Sequence, residues 1–281
     1  MLNIQRNMAS RVDGSKEHLA ICDLPGFAEF CDGLPESKRK RASSWNGGQG
    51  FQDSLRHVRT GDMSGVPASD RFMSEIESMI PVTAAWETID SVVGGAPIVP
   101  AYIAGHPLSM RRRRRTAVET APLSVLAELV ASAGISAANM AKRGAAILAL
   151  VRALSAVRPV ELWAILAIGT NGVRATACVR LDTSPLDLAR AGHVLTHPSV
   201  PRALAYDTIQ ERLLDGSWDG QWAFGNVDTH RHSARDTYIA ALNPGSEALY
   251  VPPVYAHDES ITDPVAWLKK HLAEYGGIES P

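Results

Sequence analysis

Five consecutive arginines form the most concentrated positive charge in the sequence: Arg111, Arg112, Arg113, Arg114 and Arg115. The planar guanidinium donates paired hydrogen bonds to phosphate and carboxylate oxygens, so this run predicts contact with a nucleic-acid backbone or with an acidic protein surface. Side chains alternate sides in an extended segment, so at most about three of these arginines would meet one backbone together. The alternative is a solvated surface run, or a run that forms ion pairs with acids such as Glu119 and Glu128.

A second basic run contains Lys38, Arg39, Lys40 and Arg41 and is a candidate for the same binding surface. The chain as a whole has a formal net charge of −2 and a pI near 6.5. That balance excludes a generally basic nucleic-acid coat, so nucleic-acid binding would have to come from such local patches.

Two histidines, His230 and His232, flank one residue, and Asp228 precedes them. On a strand, a His-x-His pair places both rings on one face, which is an arrangement that metal sites use. Further oxygen and nitrogen ligands are available nearby: Asp236, His257 and Asp258. The alternative is a polar loop without a metal, because the surrounding residues are hydrophilic.

Histidine and serine also occur together at His193, His197 and Ser199. A Ser-His-Asp hydrolase would use such residues, but the sequence contains no Gly-x-Ser-x-Gly elbow. We favour a helix start that Ser199 caps. The sequence also has no P-loop, no HExxH and no Gly-x-Gly-x-x-Gly after a strand, so we expect no cofactor.

Composition sets the broad class of the protein. The chain has 281 residues, of which 45% are hydrophobic, and this is enough for a sizeable core. Its three cysteines form no CxxC pair, and although Cys22 and Cys31 could pair, we expect reduced thiols. The sequence shows neither a signal peptide nor an apolar run of membrane-spanning length, so we expect an intracellular protein without membrane contact.

The elements that would position these residues are clearest in the centre of the chain. An apolar run from residue 124 predicts a buried strand, and Asn139 to Val157 has the apolar stripe of a helix. Val160 to Ile168 is a continuous apolar run, typical of a strand that is buried on both faces. Val173 to Leu181 alternates apolar and polar residues, so we expect a strand with one exposed face. The order predicts a βαβ unit with a neighbouring strand.

Outside the centre, the signals are mixed. We predict an N-terminal arm over 1–44 and one domain over 45–281, with a helical part at 45–110 and a sheet core at 116–281. Within the domain, we predict short strands at His193 to His197 and at Asp236 to Leu242, and helices over 198–214 and 263–275.

The segment from Ser124 to Ile168 resembles the front half of a von Willebrand factor A-type domain, a doubly wound α/β fold. In that family, the first strand runs into an Asp-x-Ser-x-Ser metal motif, which is followed by a long helix and a buried strand. The corresponding residues are Ser132-Ala133-Gly134-Ile135-Ser136, of which only Ser136 fits the motif. Since divalent metals of the magnesium class prefer anionic oxygen ligands, the resemblance implies a core that has lost its metal site.

The wider pattern resembles an uncharacterised family of tailed phages and prophages over residues 45–215. The residues that carry this resemblance are Trp45-Asn46-Gly47-Gly48, Gly94-Gly95, Gly105-His106-Pro107, Met110, Arg143-Gly144-Ala145-Ala146-Ile147, Val160-Glu161-Leu162, His197-Pro198-Ser199 and Arg202. This resemblance implies a phage or mobile-element setting, either in the cytoplasm of a bacterial host or in the virion, and it supplies no activity.

Together these observations predict an α/β protein with a twisted, partly parallel sheet flanked by helices and a von Willebrand A-like, Rossmannoid core. We expect a non-enzymatic binding protein that uses Arg111 to Arg115 on nucleic acid or on an acidic partner. One alternative is a virion or assembly protein that forms oligomers. The other is a metal-dependent nuclease or hydrolase at His230, His232 and Asp228.

Overall fold

The computed structural model describes residues 2–9, 16–80, 86–115, 121–132, 134–170, 173–214, 231–242, 247–255 and 257–276. Its strands are β1 Leu2–Ala9, β2 Lys16–Asp23, β3 Trp86–Ser91, β4 Ala96–Pro97, β5 Met110–Arg115, β6 Leu123–Glu128, β7 Val160–Thr170, β8 Val173–Leu181 and β9 Glu247–Val251. Its α-helices are α1 Leu24–Asp32, α2 Phe51–Thr60, α3 Val66–Ile76, α4 Val99–Ile103, α5 Ala137–Val157, α6 Leu188–Thr196, α7 Tyr206–Arg212, α8 Arg231–Leu242, α9 Glu259–Thr262 and α10 Pro264–Gly276. A π-helix, Val200–Ala205, precedes α7.

The chain forms two compact units, a main body of residues 1–80 and 121–281 and a small unit of residues 81–120. The main body contains a six-stranded sheet with the order β1-β2-β8-β7-β6-β9. Strand β6 is parallel to both β7 and β9, and β2 is parallel to β8, whereas β8 runs antiparallel to β7 and β1 antiparallel to β2. This mixed, mostly parallel sheet with helices around it confirms the predicted α/β class.

The centre of the sheet forms as the sequence predicts. All six residues of β6 are buried, and β7 is buried from Leu162 to Ile168, because both faces of these central strands are covered. Helix α5 crosses one face and begins at Ser136, whose hydroxyl accepts a hydrogen bond from the Asn139 backbone N–H at 3.1 Å. The predicted βαβ unit is therefore β6-α5-β7.

Helix α8 covers part of the opposite face of the sheet. Its Tyr238 is fully buried and packs with Leu126, Trp163 and Cys178. The prediction of an exposed face on β8 is therefore wrong, since Thr176 and Cys178 lie in the interior.

The N-terminal segment is part of this body, which differs from the predicted arm. Strand β2 pairs with β8 in parallel, and β1 adds an edge strand beyond it. Helix α1 buries Phe27 and Phe30 in the main core. The sequence hides this because the pairing partner of β2 lies more than 150 residues away, as shown by the match between Cys22 and Val179.

Two predicted short strands are wrong. Residues 193–196 continue α6, because Ala191, Val194 and Leu195 follow the i, i+3, i+4 spacing of a buried helix face. Residues 236–242 belong to α8. Thr237, Tyr238 and Ile239 favour strands by propensity, but the packing of α8 on the sheet outweighs that preference. Strand β9 was not predicted, although its pairing with β6 completes the parallel part of the sheet.

The small unit is a three-stranded antiparallel sheet with the order β3-β5-β4, and α4 lies between β4 and β5 in the chain. The arginine run is strand β5, in which Arg111 pairs with Asp90 and Arg114 with Glu87 along the backbone register. None of the described helices is both long and apolar enough to span a membrane.

Candidate functional site

The arginine run is presented by the small unit. The side chains of Arg111 and Arg112 are exposed. Arg111 Nε lies 3.8 Å from Asp90 Oδ1, and both side chains are more than half exposed, at 59% and 57%. Such an exposed pair contributes little and leaves the guanidinium open to a stronger anion.

The rest of the run is described by its backbone alone. These residues lie on β5, where the register matches them to Thr88, Glu87 and Trp86 of β3. Their predicted contact with an anion therefore stays a prediction, because three side chains of the run lie outside the described ones: Arg113, Arg114 and Arg115.

An apolar surface accompanies the arginines. Six of the eight exposed large hydrophobic side chains in the described part of the chain fall between residues 92 and 108. We call these six the apolar tip: Val92, Val93, Val99, Tyr102, Ile103 and Leu108. Exposed apolar residues of this kind mark binding surfaces when they cluster in one short segment.

The second basic run is mostly engaged within the main body. Lys38 Nζ lies 3.3 Å from Glu211 Oε2. Arg39 donates to the carbonyl oxygens of Leu34 and Asp32 at 2.8 and 3.0 Å. These contacts fasten the segment after α1 to the body.

Lys40 is held most firmly of the four. Its backbone N–H donates to Asp207 Oδ2 at 2.6 Å, and its Nζ lies 3.3 Å from Asp207 Oδ1. The same Nζ stands 3.3 Å from the centre of the Tyr206 ring, which is a cation–π contact. Burial lowers the pKa of Lys40, and Asp207 opposes that shift. Arg41 is exposed, so within this run it is the side chain best placed for an external anion.

The predicted metal residues His230 and Asp228 lie outside the described residues. Residue 232 lies in helix α8, so the extended geometry assumed for the His-x-His pair does not hold there. Of the suggested extra ligands, Asp258 accepts hydrogen bonds from Ser260 and caps α9. The described portion of the chain holds no group of three His, Cys, Asp or Glu residues that could bind a metal.

A second candidate site lies at the carboxyl ends of the parallel strands. Strands β6 and β9 are neighbours, yet the chain leaves β6 through α5 towards β7 on the other side. Open α/β sheets place ligands at such a topological switch point. A small cleft that opens to solvent lies there. Its polar lining is Arg143, Thr196 and His197.

The apolar lining of this switch-point cleft comes from the ends of β6 and β9, from α5 and from the segment after α6: Leu129, Met140, Leu195, Pro198, Pro201 and Val254. The cleft thus combines an apolar lining with three polar residues, Arg143, Thr196 and His197.

Arg143 enters the cleft from the first half of α5. Only 4% of the residue is exposed. Its guanidinium donates to the carbonyl oxygens of Glu128 at 3.0 Å and Pro252 at 2.5 Å. Glu128 is the last residue of β6, and Pro252 directly follows β9. Burial lowers the pKa of Arg143 to about 10, so the side chain remains charged at neutral pH.

Arg202 is a second buried arginine, at 1% exposure, near the same end of the sheet. It donates to the carbonyl oxygens of Ile135 at 2.5 Å and Trp45 at 2.7 Å, and its guanidinium lies 4.7 Å from the Trp45 ring centre. Arg202 therefore ties the loop that precedes α5 to the segment that precedes α2.

A row of neighbouring polar side chains leads from the cleft into the body. His197 Nδ1 lies 2.6 Å from Ser199 Oγ, which is 2.9 Å from Ser54 Oγ. Ser54 Oγ lies 3.4 Å from His193 Nε2, and His193 Nδ1 is 3.5 Å from Asp62 Oδ2. We call these five residues the histidine–serine chain.

The histidine–serine chain has the residue types of a hydrolase but not the accessibility. Ser54 and Ser199 are fully buried, so no substrate reaches either hydroxyl. Ser199 makes no side-chain capping bond to the helix that follows, which makes the predicted cap wrong, because its hydroxyl is taken by His197 and Ser54. Only His197 of this chain reaches the cleft.

The protonation of the two histidines follows from burial. Burial lowers the pKa of His193 to about 3, helped by His197 and His57, while Asp62 opposes the shift. Burial also lowers the pKa of His197. The Ser199 backbone N–H donates to His197 Nδ1 at 3.2 Å, so the proton of the neutral ring lies on Nε2.

The Trp45-Asn46-Gly47-Gly48 motif supports this site. Gly47 has a left-handed backbone with φ of 72°, and a Cβ there would lie 3.1 Å from His197 Cε1. The glycine therefore satisfies both the backbone conformation and the close approach to the imidazole.

Sequence reasoning missed Arg143 and Arg202 as site residues. The available signal was a charge among small apolar neighbours, as in Arg143 before Gly144. Glu128, which the sequence offered only as an ion-pair partner for the arginine run, is buried at the end of β6 and accepts a hydrogen bond from the Tyr250 hydroxyl at 2.6 Å. Burial raises the pKa of this carboxyl.

Comparison with known proteins gives a family but no activity. The model of a family described as a domain of unknown function (DUF7192) matches residues 12–278, which is most of the chain. No curated protein and no solved structure matches the sequence.

Proposed function

The chain belongs to the DUF7192 family, and because that family brings no activity with it, we propose a function from the residues themselves. We propose that the protein is a non-enzymatic binding protein whose small unit contacts a nucleic-acid backbone through Arg111 to Arg115. The observation that carries this proposal is the placement of the whole run on one strand, β5, with exposed side chains at Arg111 and Arg112.

The electrostatics favour a polyanionic partner. The five arginines exceed the acidic residues of β3, which contributes Glu87 and Asp90 opposite them. The small unit is therefore locally positive in a chain of net charge −2, and its field acts at the range of the Debye length, about 8 Å at physiological salt. A narrow antiparallel ribbon is also an element that fits the grooves of a duplex.

The apolar tip supplies the part of the contact that salt does not screen. Tyr102 can stack on an unpaired base, and side chains such as Ile103 can wedge between base steps. Since Tyr102 and Ile103 are exposed by 69% and 79%, both are available to a partner.

The exposed tip also favours a second candidate function, a structural protein that assembles with copies of itself. Apolar side chains such as Val92 and Val93 would then be covered by a neighbouring copy. Sedimentation over a wide range of protein concentration tests this alternative, which predicts oligomers that form without nucleic acid.

We also propose a von Willebrand A-like core and a phage or mobile-element setting. Support for the core comes from the succession β6-α5-β7 and from the central place of β6 between β7 and β9. Support for a lost metal site comes from Ser136, whose hydroxyl is engaged as the cap of α5. Support for the setting rests on the sequence resemblance alone.

Fluorescence anisotropy with labelled single-stranded DNA, duplex DNA and RNA tests the main proposal. If three phosphates are neutralised on duplex DNA, log K should fall with log salt at a slope of about −2.7. Replacing Arg111 to Arg115 by serine should remove this binding.

A matched control removes the same number of exposed positive charges from the main body: Arg56, Arg59, Arg71, Lys269 and Lys270, each changed to serine. This control should bind like the wild type. Equal losses in both variants, or no salt-dependent binding of the wild type to any of the three probes, would refute the proposal.

A further inference from the structure

Helix α8 lies over a face of the sheet that carries polar and ionisable side chains. Glu128 of β6 is opposite Ile165 of β7, which is opposite Cys178 of β8. Since every second residue of a strand points to the same side, Thr176 and Arg174 of β8 share the face of Cys178. This face therefore combines apolar side chains with a carboxyl group, a hydroxyl and a guanidinium.

Three polar groups beneath α8 are buried without a hydrogen bond. Tyr238 and Thr176 are fully buried, and their hydroxyls have no hydrogen-bond partner within the described part of the chain. The two residues lie close together, but their hydroxyls do not reach the geometry of a hydrogen bond. The indole N–H of Trp163, which packs with Tyr238, is the third such group. Each of them loses water without gaining a partner when the helix docks, which costs free energy.

The carboxyl group of Glu128 adds to this cost. Only 2% of the residue is exposed, and burial raises the pKa of this carboxyl, while the Arg174 charge opposes the shift. Burial and Glu128 together raise the pKa of Tyr238, which shows that the carboxyl group lies near the helix. Removing a carboxyl group from water is unfavourable, so exposure of this face would relieve an energetic cost of the docked state.

The apolar face that holds α8 on the sheet is small. Among its described side chains, Tyr238 is fully buried, and Ile239 and Leu242 are partly buried. Arg235 and Asp236 are exposed. Because the stability of a helix in a protein comes mainly from the packing of its apolar face, these few contacts leave α8 weakly docked.

From these contacts we propose that α8 is a displaceable cover, which leaves the sheet while the rest of the main body stays folded. In the open state, the hydroxyls of Tyr238 and Thr176 are hydrated. Opening also turns the concealed carboxyl group of Glu128 and the half-buried guanidinium of Arg174 into an accessible polar surface. This device belongs to the main body and is independent of the proposed nucleic-acid function of the arginine strand.

Hydrogen exchange of the whole chain, followed by mass spectrometry, tests the proposal under conditions in which exchange reports the opening equilibrium. After correction for intrinsic rates, we expect the amides of α8 to exchange about a hundredfold faster than those of α5, because α8 opens locally. Low concentrations of urea should leave the exchange of α8 nearly unchanged, since a local opening exposes little surface. Equal protection of α8 and α5 would overturn the proposal.

Two tyrosines at this interface form a matched pair with opposite expected effects, and their ring centres lie 6.2 Å apart. Tyr238→Phe removes an unsatisfied hydroxyl and should slow the exchange of α8 about fivefold. Tyr250→Phe removes the hydroxyl that donates to Glu128 Oε2 at 2.6 Å, so it should speed the exchange by about the same factor. If Tyr238→Phe leaves the exchange of α8 unchanged or speeds it, the proposal is wrong.

A pair of threonines provides the second comparison. Thr176→Val keeps the shape of the side chain and removes its unsatisfied hydroxyl, so it should also slow the exchange of α8. Thr208 on α7 is equally buried, but its hydroxyl donates to the Leu204 carbonyl oxygen at 2.7 Å. Thr208→Val should therefore destabilise the body without slowing the exchange of α8. The same effect of both variants on α8 would show that the unsatisfied hydroxyls do not control its opening.

Discussion

Arginine has opposite surroundings in the two compact units. In the small unit, Arg111 and Arg112 are exposed on a strand, with a single loose contact to Asp90. In the main body, Arg143 and Arg202 are almost fully buried and are fastened to backbone carbonyls. The exposed side chains are free to meet a partner, whereas the buried ones hold loops in place and shape a cleft. Burial, rather than residue type, decides which role the guanidinium plays.

The largest expected contrast concerns histidine. Burial, with His197 and His57, holds the pKa of His193 near 3, while Asp62 raises it. Between about pH 6.5 and 3 the unfolded chain binds a proton at His193 that the folded chain does not bind. The contribution of His193 to the free energy of unfolding is therefore fully present above pH 6.5 and is lost as the pH falls. Urea unfolding over this range should show a loss on the order of 4 kcal/mol.

The groups that face His193 are His57, His197, Asp62 and Ser54. His193→Gln should flatten the pH dependence, while His106→Gln, an exposed histidine of the small unit, should leave it unchanged. A wild-type curve that stays level from pH 6.5 to 4 would contradict this prediction.

A second contrast compares a buried arginine with an exposed one. Arg202→Met should lower the free energy of unfolding by about 3 kcal/mol, because two carbonyl oxygens, those of Trp45 and Ile135, lose their donors. Arg112→Met should change it by less than about 0.5 kcal/mol. Chemical denaturation of both variants checks this, and equal effects would show that Arg202 is not anchoring the loops.

Two glycines provide a third contrast. A Cβ at Gly144 would lie 1.9 Å from the Leu195 carbonyl oxygen of α6, so α5 and α6 must separate if it is replaced. This close approach joins two helices of the main body, α5 and α6. Gly144→Ala should destabilise by about 2 kcal/mol in spite of its better helix propensity.

Gly95 of the small unit is the matched position, since a Cβ there meets nothing within 4 Å. Gly95→Ala should change the free energy of unfolding by less than about 0.5 kcal/mol. Thermal and urea unfolding measure both variants, and a neutral Gly144→Ala would mean that α6 can shift freely.

The smallest expected effect concerns the apolar tip. Ile103→Ser should leave stability within about 0.5 kcal/mol, because the side chain is already 79% exposed. It should weaken nucleic-acid binding by roughly fivefold without changing the salt slope, since it removes apolar contact and no charge. Met63→Ser, at an exposed apolar residue of the main body, is the control and should bind like the wild type. A reduced salt slope in Ile103→Ser would contradict the assignment of apolar contact to Ile103 and of the salt-dependent contact to the arginines.

The two candidate sites differ in how far the sequence reveals them. The arginine strand is visible because five like residues stand together. The switch-point cleft is not, because Arg143 lies on α5 whereas Thr196 and His197 lie at the end of α6, and the two segments meet only when these helices pack together. The histidine–serine chain likewise joins Ser54 and Asp62 to residues more than 130 positions later.

By itself, the sequence determined the local elements at the centre of the fold. The continuous apolar run of β7 and the periodic face of α5 specify a buried strand and a packed helix, because hydrophobic spacing is a local property. Only the tertiary structure decided that 16–34 belongs to the core, that residues 193–196 continue a helix, and which arginines are buried. These outcomes depend on pairing and burial between distant segments, which local spacing does not encode.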